Sequence, residues 1–300
     1  MQIRHLQPPL RLSRFCSPHS RHQTTRHTIH PIIKMYTIDT TVLPIQLPPS
    51  LTRTQLLSHG PFKSWLSTLS HSLSLQSRPD HAFHSSPYQL QKIDVQSVDF
   101  FGKKIGFLKF QASITNSEGE SIPGLVFLRG GSVAMLCVLV EEGGKEGEEY
   151  VLLTVQPRIP VGSLEFVELP AGMLDGDSFS GAAAKEIKEE CGIEIKADEL
   201  KDLGQMALGE FVMAGNEKVE AGVYPSPGGC DEFLKLFLYR HTISKGTLEE
   251  WKGKLTGLRE AREKITLKVV KLKDLWKETV DAKALSAVAL YEGLKREGRI

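Results

Sequence analysis

Glu-Leu-Pro-Ala-Gly (168–172), Met-Leu-Asp-Gly-Asp (173–177) and Phe-Ser-Gly-Ala-Ala-Ala-Lys-Glu-Ile-Lys-Glu-Glu-Cys (179–191), closed by Gly192 and Ile193, run from a strand end through a turn into a helix. Phe179, Ala183, Ile187 and Cys191 are spaced by four, so one ridge of a helix over 179–191 faces a core. Gly192 supplies its C-terminal stop. On the adjoining face Glu186, Glu189 and Glu190 stand at i, i+3 and i+4, which places three carboxylates side by side. Like charges at those spacings repel by roughly a few tenths of a kcal/mol per pair, and acids in the last turn face the negative end of the helix dipole. A hard divalent cation with oxygen ligands reverses both penalties, so the cluster reads as a candidate metal site. The alternative reading is a solvated face relieved by Lys185 and Lys188.

Upstream the pattern is β, with runs at 93–101, 104–115, 124–129, 132–140 and 150–156, separated by turn signals at 116–119 and by the acidic, glycine-rich segment 141–148. The first of these strands predict a small β-rich subdomain over 90–130. After Glu168 the order becomes helix, two strands, a charged loop, a strand and terminal helices, which makes the class mixed α/β or α+β. Toward the N-terminus, Pro44, Pro48 and Pro49 mark a linker over 35–89. Within it Phe62, Trp65, Leu66 and Leu69 predict a short amphipathic helix, and residues 73–90 have the composition of a loop.

The 300 residues, 40% hydrophobic and 24% charged, allow one large domain or two small ones, and no apolar stretch is long enough to suggest a membrane span. Cys16, Cys137, Cys191 and Cys230 are scattered singly without a CxxC pair, which argues against a disulfide framework or a zinc site and fits a reducing compartment. Arg4, Arg11, Arg14, Arg21, Arg26 and Lys34 precede the first acid, Asp39; setting those six aside from the total of +1 leaves residues 35–300 at −5. A basic nucleic-acid footprint is therefore not expected in the body. Residues 1–34, rich in Arg, Ser and His with interspersed Leu6, Leu10, Leu12 and Phe15, have the make-up of a mitochondrial transit peptide. They read equally as a disordered tail ahead of a start at Met35, so cytoplasmic and mitochondrial locations both stay open.

The stretch 168–193 resembles the Nudix box, Gly-x5-Glu-x7-Arg-Glu-x2-Glu-Glu-x-Gly followed by an aliphatic residue. It departs from the pattern twice: Ser178 stands where the first Glu is expected counting from Gly172, and Lys185 replaces the Arg, the box being one residue short. Asp-Phe-Phe-Gly-Lys-Lys-Ile-Gly-Phe-Leu-Lys-Phe (99–110), Gln-Pro-Arg-Ile-Pro-Val-Gly (156–162), Ser-Pro-Gly-Gly-Cys-Asp-Glu (226–232), Thr-Gly-Leu-Arg-Glu (256–260) and Asp-Ala-Lys-Ala-Leu (281–285) resemble the ADP-sugar diphosphatase branch of that family, over about residues 90–300.

The resemblance implies a Nudix α/β/α sandwich over about 131–300, a β-rich subdomain through which two copies form a homodimer, and hydrolysis of a nucleoside diphosphate sugar, ADP-glucose or ADP-ribose, to AMP and a sugar phosphate. It implies Glu186 and Glu190 as direct metal ligands, Glu189 close to a second ion, and the Ala171 carbonyl completing the set. The all-oxygen inventory suits Mg²⁺, with Mn²⁺ as a substitute. Catalysis then involves Glu189 and a base from the 242–264 stretch, Glu263 ahead of Glu260. Gln156 and Arg158 lie against the substrate, an Arg fork matching phosphate oxygens, and Glu168 serves the nucleotide or a water beside the metal. Residues 226–232 lack the Lys-Ser/Thr of a phosphate loop and read as a pocket wall, with Cys230 a packed thiol. UDP-glucose as substrate, or a module that holds nucleotide-sugars without cutting them, are the alternatives.

Overall fold

The computed structural model describes residues 38–145, 148–174, 179–209, 216–257 and 264–300. Its first part contains Ile45–Gln46 (β1), Arg53–Ser58 (α1), Gly60–Leu75 (α2), Gln89–Phe101 (β2), Lys104–Thr115 (β3), Ser121–Ile122 (β4) and Leu125–Leu128 (β5). These strands form a five-stranded sheet in the order β1-β2-β3-β4, with β5 also on β3; β1 pairs parallel and the others antiparallel. Thr52 opens α1 with a capping box completed by Gln55, and Pro61 sits in the first turn of α2, where its missing N–H costs nothing.

The stretch expected to link, 35–89, supplies both helices and half of this subdomain's core. Leu56, Phe62 and Leu66 are buried in one cluster with Ile93, Val95, Leu108, Phe110 and Ala112, alternate residues of β2 and β3. Trp65 meets the Phe110 ring edge-on at 4.7 Å. The loop after α2 is closed by Gln76, whose side chain accepts from Tyr88 N at 2.7 Å and donates to Tyr88 O at 2.9 Å.

The second part runs through Ser132–Glu141 (β6), Glu149–Arg158 (β7), Ser163–Glu168 (β8), Ala171–Met173 (β9), Phe179–Cys191 (α3), Lys201–Asp202 (β10), Leu203–Leu208 (α4), Leu234–Ile243 (β11), Lys245–Trp251 (α5), Leu255–Thr256 (β12), Ile265–Lys271 (β13), Leu275–Glu278 (α6) and Ala282–Arg296 (α7). Its eight strands follow the order β10-β11-β6-β7-β13-β12, with β8 on β7 and β9 on β6; β11 is parallel to β6 and every other pair is antiparallel. β6 is apolar at nearly every position because both of its faces are covered. Ala134, Leu136 and Val138 point to one side, where Ala284, Ala287, Tyr291 and Leu294 of α7 pack together with Leu203 and Leu275. Val133, Met135, Cys137 and Leu139 point to the other, against Ala182, Ala183, Ile187 and Cys191 of α3 and Leu248 of α5. The class is mixed α/β, with helices on both faces of a mixed sheet.

The two sheets meet at 226–232. Phe127 N donates to Gly229 O at 2.8 Å, and the Asp231 carboxylate accepts from Arg129 N at 2.7 Å and Gly130 N at 3.0 Å. The glycine-rich segment seals the joint between β5 and β6. Cys137, Cys191 and Cys230 are all free thiols. Among the described residues no helix is long and apolar enough to cross a membrane.

Candidate active site

β8 and β9 lie on different neighbours, so the chain crosses from β7 to β6 at Leu169–Pro170, and Met135 N donates to Pro170 O at 3.0 Å to hold the crossing. That step brings Ala171 and Gly172 under α3. Burial of Ala183, Ile187 and Cys191 fixes the helix's rotation, and Phe179 packs at the edge of the same cluster. Glu190, one residue from this ridge, is consequently 6% exposed.

Glu190 accepts from Gln156 Nε2 at 3.0 Å on one oxygen and from Ala171 N at 3.0 Å on the other. Burial pushes its pKa up to about 7; the hydrogen bonds from Gln156 and Ala171 oppose that rise, and the negative charges of Glu186 and Glu168 add to it. Glu186 lies directly over β9: a Cβ on Gly172 would stand 1.9 Å from its Oε1, so the absence of a side chain at 172 is what admits the carboxylate.

Glu189 faces elsewhere. Lys185 Nζ is 3.8 Å from its Oε1, and it lines a hollow of about 530 Å³ together with Lys188, Gly192, Thr256 and Gly257. Among the described residues no three His, Cys, Asp or Glu side chains converge closely enough to form a metal cage. The pair Glu186 and Glu190 nevertheless suits a hard divalent cation. The donors are oxygens, the Glu190 carboxylate is buried, and an ion that retains waters needs no more than one or two carboxylates besides substrate oxygens.

Glu168 is 1% exposed, and it is held by charge on both sides: Arg158 Nε at 2.5 Å and Lys283 Nζ at 2.8 Å. Of the residues singled out from sequence, the structure thus brings Gln156, Arg158, Glu168, Ala171, Glu186 and Glu190 together at the β7–β8–β9–α3 junction. Ser178, Glu260 and Glu263 lie outside the described residues. Lys283 and Asp281 belong to the same junction; both fall in the 281–285 motif of the resemblance, but nothing in their spacing relates them to residue 168.

Beside Glu186 opens a cleft of about 1160 Å³, bordered by Lys185, Met173 and Leu174 on one side and by His59, Lys103, Lys104 and Arg129 on the other. Among the described residues that line it, Glu186 is the acid beside four basic side chains, Lys103, Lys104, Arg129 and Lys185, which suits a polyanion. Cysteine nucleophiles are excluded at the junction: burial pushes the Cys137 thiol up to about 12, with Glu190 adding to the effect, and Cys191 is raised for the same reasons.

A family model described as NUDIX domain matches residues 131–290, more than half of the chain. "Nudix hydrolase 14, chloroplastic" of Arabidopsis thaliana is 43% identical over 214 residues, covering 70% of this chain; the chain spans 65% of that relative's length. A Caenorhabditis elegans protein whose name includes nudix hydrolase is 49% identical over 49 residues, 16% of this chain and 22% of its own. A solved structure described as "Crystal structure of ADP compounds hydrolase" aligns with a TM-score of 0.39 at 17% identity over 71% of this chain and 99% of that one, a likeness too slight to carry an argument. The matched span 131–290 begins just before β6, ends within α7 and contains every carboxylate of the junction, and on that span the chain belongs to the NUDIX domain family.

Proposed function

We propose that the protein hydrolyses the diphosphate bond of a nucleoside diphosphate sugar, ADP-glucose or ADP-ribose, to AMP and a sugar phosphate with Mg²⁺ as cofactor. The observation that carries this reading is the pair Glu186 and Glu190, both seated against β9, with Glu186 opening onto a cleft lined with basic residues. Bound Mg²⁺ supplies neutralisation of the diphosphate oxygens and acidification of a water; Mn²⁺ suits the same oxygen donors.

The chain's own residues divide the remaining work. Gln156 orients Glu190 by hydrogen bond, and Arg158, 38% exposed, presents its fork to a phosphate. A cleft of about 1160 Å³ has room for a whole nucleotide-sugar. Glu189, which lines a hollow with Thr256 and Gly257, and Glu263 are the proposed catalytic carboxylates, one of them serving as base. The exposed Phe101 and Phe127 on the N-terminal sheet support a homodimer joined through that subdomain. The basic, acid-free residues 1–34 and the chloroplastic name of the Arabidopsis relative support an organelle address, the cytoplasm being the alternative if synthesis starts at Met35.

The test is release of nucleoside monophosphate from ADP-glucose, ADP-ribose and UDP-glucose by the purified chain with Mg²⁺. Turnover of an ADP-sugar that falls by roughly a hundredfold or more in Glu190→Gln is expected. Preference for UDP-glucose would change the base assignment. Binding without turnover of any of the three would make the protein a nucleotide-sugar binding module.

A further inference from the structure

Behind Arg158 runs a line of buried charges that the proposed reaction does not touch. Asp281 caps α7, its Oδ1 accepting from Lys283 N at 3.1 Å, while its Oδ2 accepts from Leu169 N at 3.1 Å. Lys283 Nζ donates to Asp281 Oδ1 at 2.9 Å and to Glu168 Oε2 at 2.8 Å. The other Glu168 oxygen receives Arg158 Nε at 2.5 Å. Thr279 adds a tie to the same strand by donating to Val167 O. Side-chain exposure is 5% at Asp281, 17% at Lys283 and 2% at Glu168, then rises to 38% at Arg158.

A buried ammonium between two carboxylates is a poor way to gain stability, because an apolar replacement is often as good. Its distinctive product is direction. With Nε committed to Glu168, the two terminal guanidinium nitrogens of Arg158, which have no partner among the described residues, form an outward pair already set in one plane. An arginine held this way loses little further freedom when it meets an anion.

We infer that Lys283 and Asp281 are positioning residues: through Glu168 they aim the Arg158 fork at the phosphate oxygens of an incoming nucleotide. The inference rests on the nucleotide-sugar reading above, and it ties substrate affinity to the first turn of the C-terminal helix.

Calorimetric titration of the full chain with ADP-glucose, with Ca²⁺ replacing Mg²⁺, tests it while monophosphate release with Mg²⁺ is followed in parallel. Lys283→Met and Arg158→Met are each expected to weaken binding by roughly tenfold to a hundredfold. The double variant should be no weaker than the worse single one, since both act on one contact. Lys283→Arg, which keeps the charge, should recover most of the loss. If Lys283→Met does not fold, Glu168→Gln keeps the side chain's shape, leaves Lys283 with Asp281, and reads the same coupling against Arg158→Met. Additive losses, or unchanged affinity with a lowered Tm alone, overturn the inference and leave the nucleotide-sugar reading intact. Wild-type binding without turnover overturns that reading and not the inference; absence of binding overturns both.

Discussion

Glu190 is an acid that the sequence places correctly on α3 but cannot rank. Its neighbour Glu189 has the same chemistry and lies one helical step away, yet 189 shares a hollow with Lys185 and 190 is enclosed beneath β9. The difference comes from the ridge Ala183, Ile187 and Cys191, whose burial turns position 190 inward. Spacing at i, i+3 and i+4 announces three clustered charges; it does not say which of them meets the strand. Gly172 was legible as part of a turn, whereas the reason for it is the Glu186 carboxylate packed against its α-carbon. Gly172→Ala would set a Cβ 1.9 Å from Glu186 Oε1, so the carboxylate must move. We expect this single methyl to lower kcat/KM for the nucleotide-sugar by roughly tenfold or more while the thermal midpoint changes little, measured by initial rates and thermal melts. Wild-type kinetics in Gly172→Ala would mean that the position of Glu186 is immaterial.

At the scale of elements, the strongest periodic signals were the readable ones. α3 occupies Phe179–Cys191, the span that the four-residue repeat predicts, and the apolar run 132–140 is the doubly covered strand β6. The crossing at Leu169–Pro170, the two-residue strands β10 and β12 and the packing of α2 leave little local trace, because each is defined by partners distant in sequence. α2 shows this best: its ridge is visible in Phe62 and Leu66, but the strands it covers begin more than a dozen residues later.

The start of β7 is another such tertiary joint. Glu149 there accepts from Arg240 Nη2 of β11 at 3.1 Å and from Tyr291 Oη and Lys295 Nζ of α7 at 3.0 and 2.7 Å. Burial alone would raise its pKa, but the hydrogen bonds from Lys295, Arg240 and Tyr291 together outweigh it and hold the carboxyl below its ordinary value. A carboxyl with a depressed folded-state pKa contributes stability above its unfolded value, about 4.3, and that contribution is lost as pH falls through the folded value. Glu149→Gln should therefore cost on the order of 2 kcal/mol near neutral pH. It should also show a shallower decline below about pH 4 than the wild-type chain in urea denaturation, having no such carboxyl to protonate. Parallel acid profiles for the two proteins would remove Glu149 as the joint.

For the whole molecule, the α/β sandwich could be anticipated from the order of elements and from the family resemblance, while the division of the N-terminal part could not. Linker composition at 44–49 hides the fact that α1 and α2 complete the hydrophobic core of the small sheet. The opposite face of that sheet carries a ladder of rings, Phe101 to Phe107 at 5.0 Å and Phe107 to Phe127 at 5.3 Å, with Phe101 and Phe127 left 52% and 39% exposed. Such a patch on a polar surface is expected to be covered. Light scattering after size exclusion should give twice the chain mass of 33.3 kDa for the wild type and the single-chain mass for Phe101→Glu combined with Phe127→Glu. A wild-type mass of one chain would leave the ladder without its partner.

The proposed hydrolysis requires Glu186 and Glu190 to be partners of a divalent ion. Its most direct test is titration of the purified chain with Mn²⁺, read by calorimetry and by the loss of the free-ion paramagnetic signal. Saturable uptake by the wild type, sharply weakened in Glu190→Gln and accompanied by proton release near neutral pH, is the predicted result. No uptake with or without nucleotide, or equal uptake by wild type and variant, would contradict it.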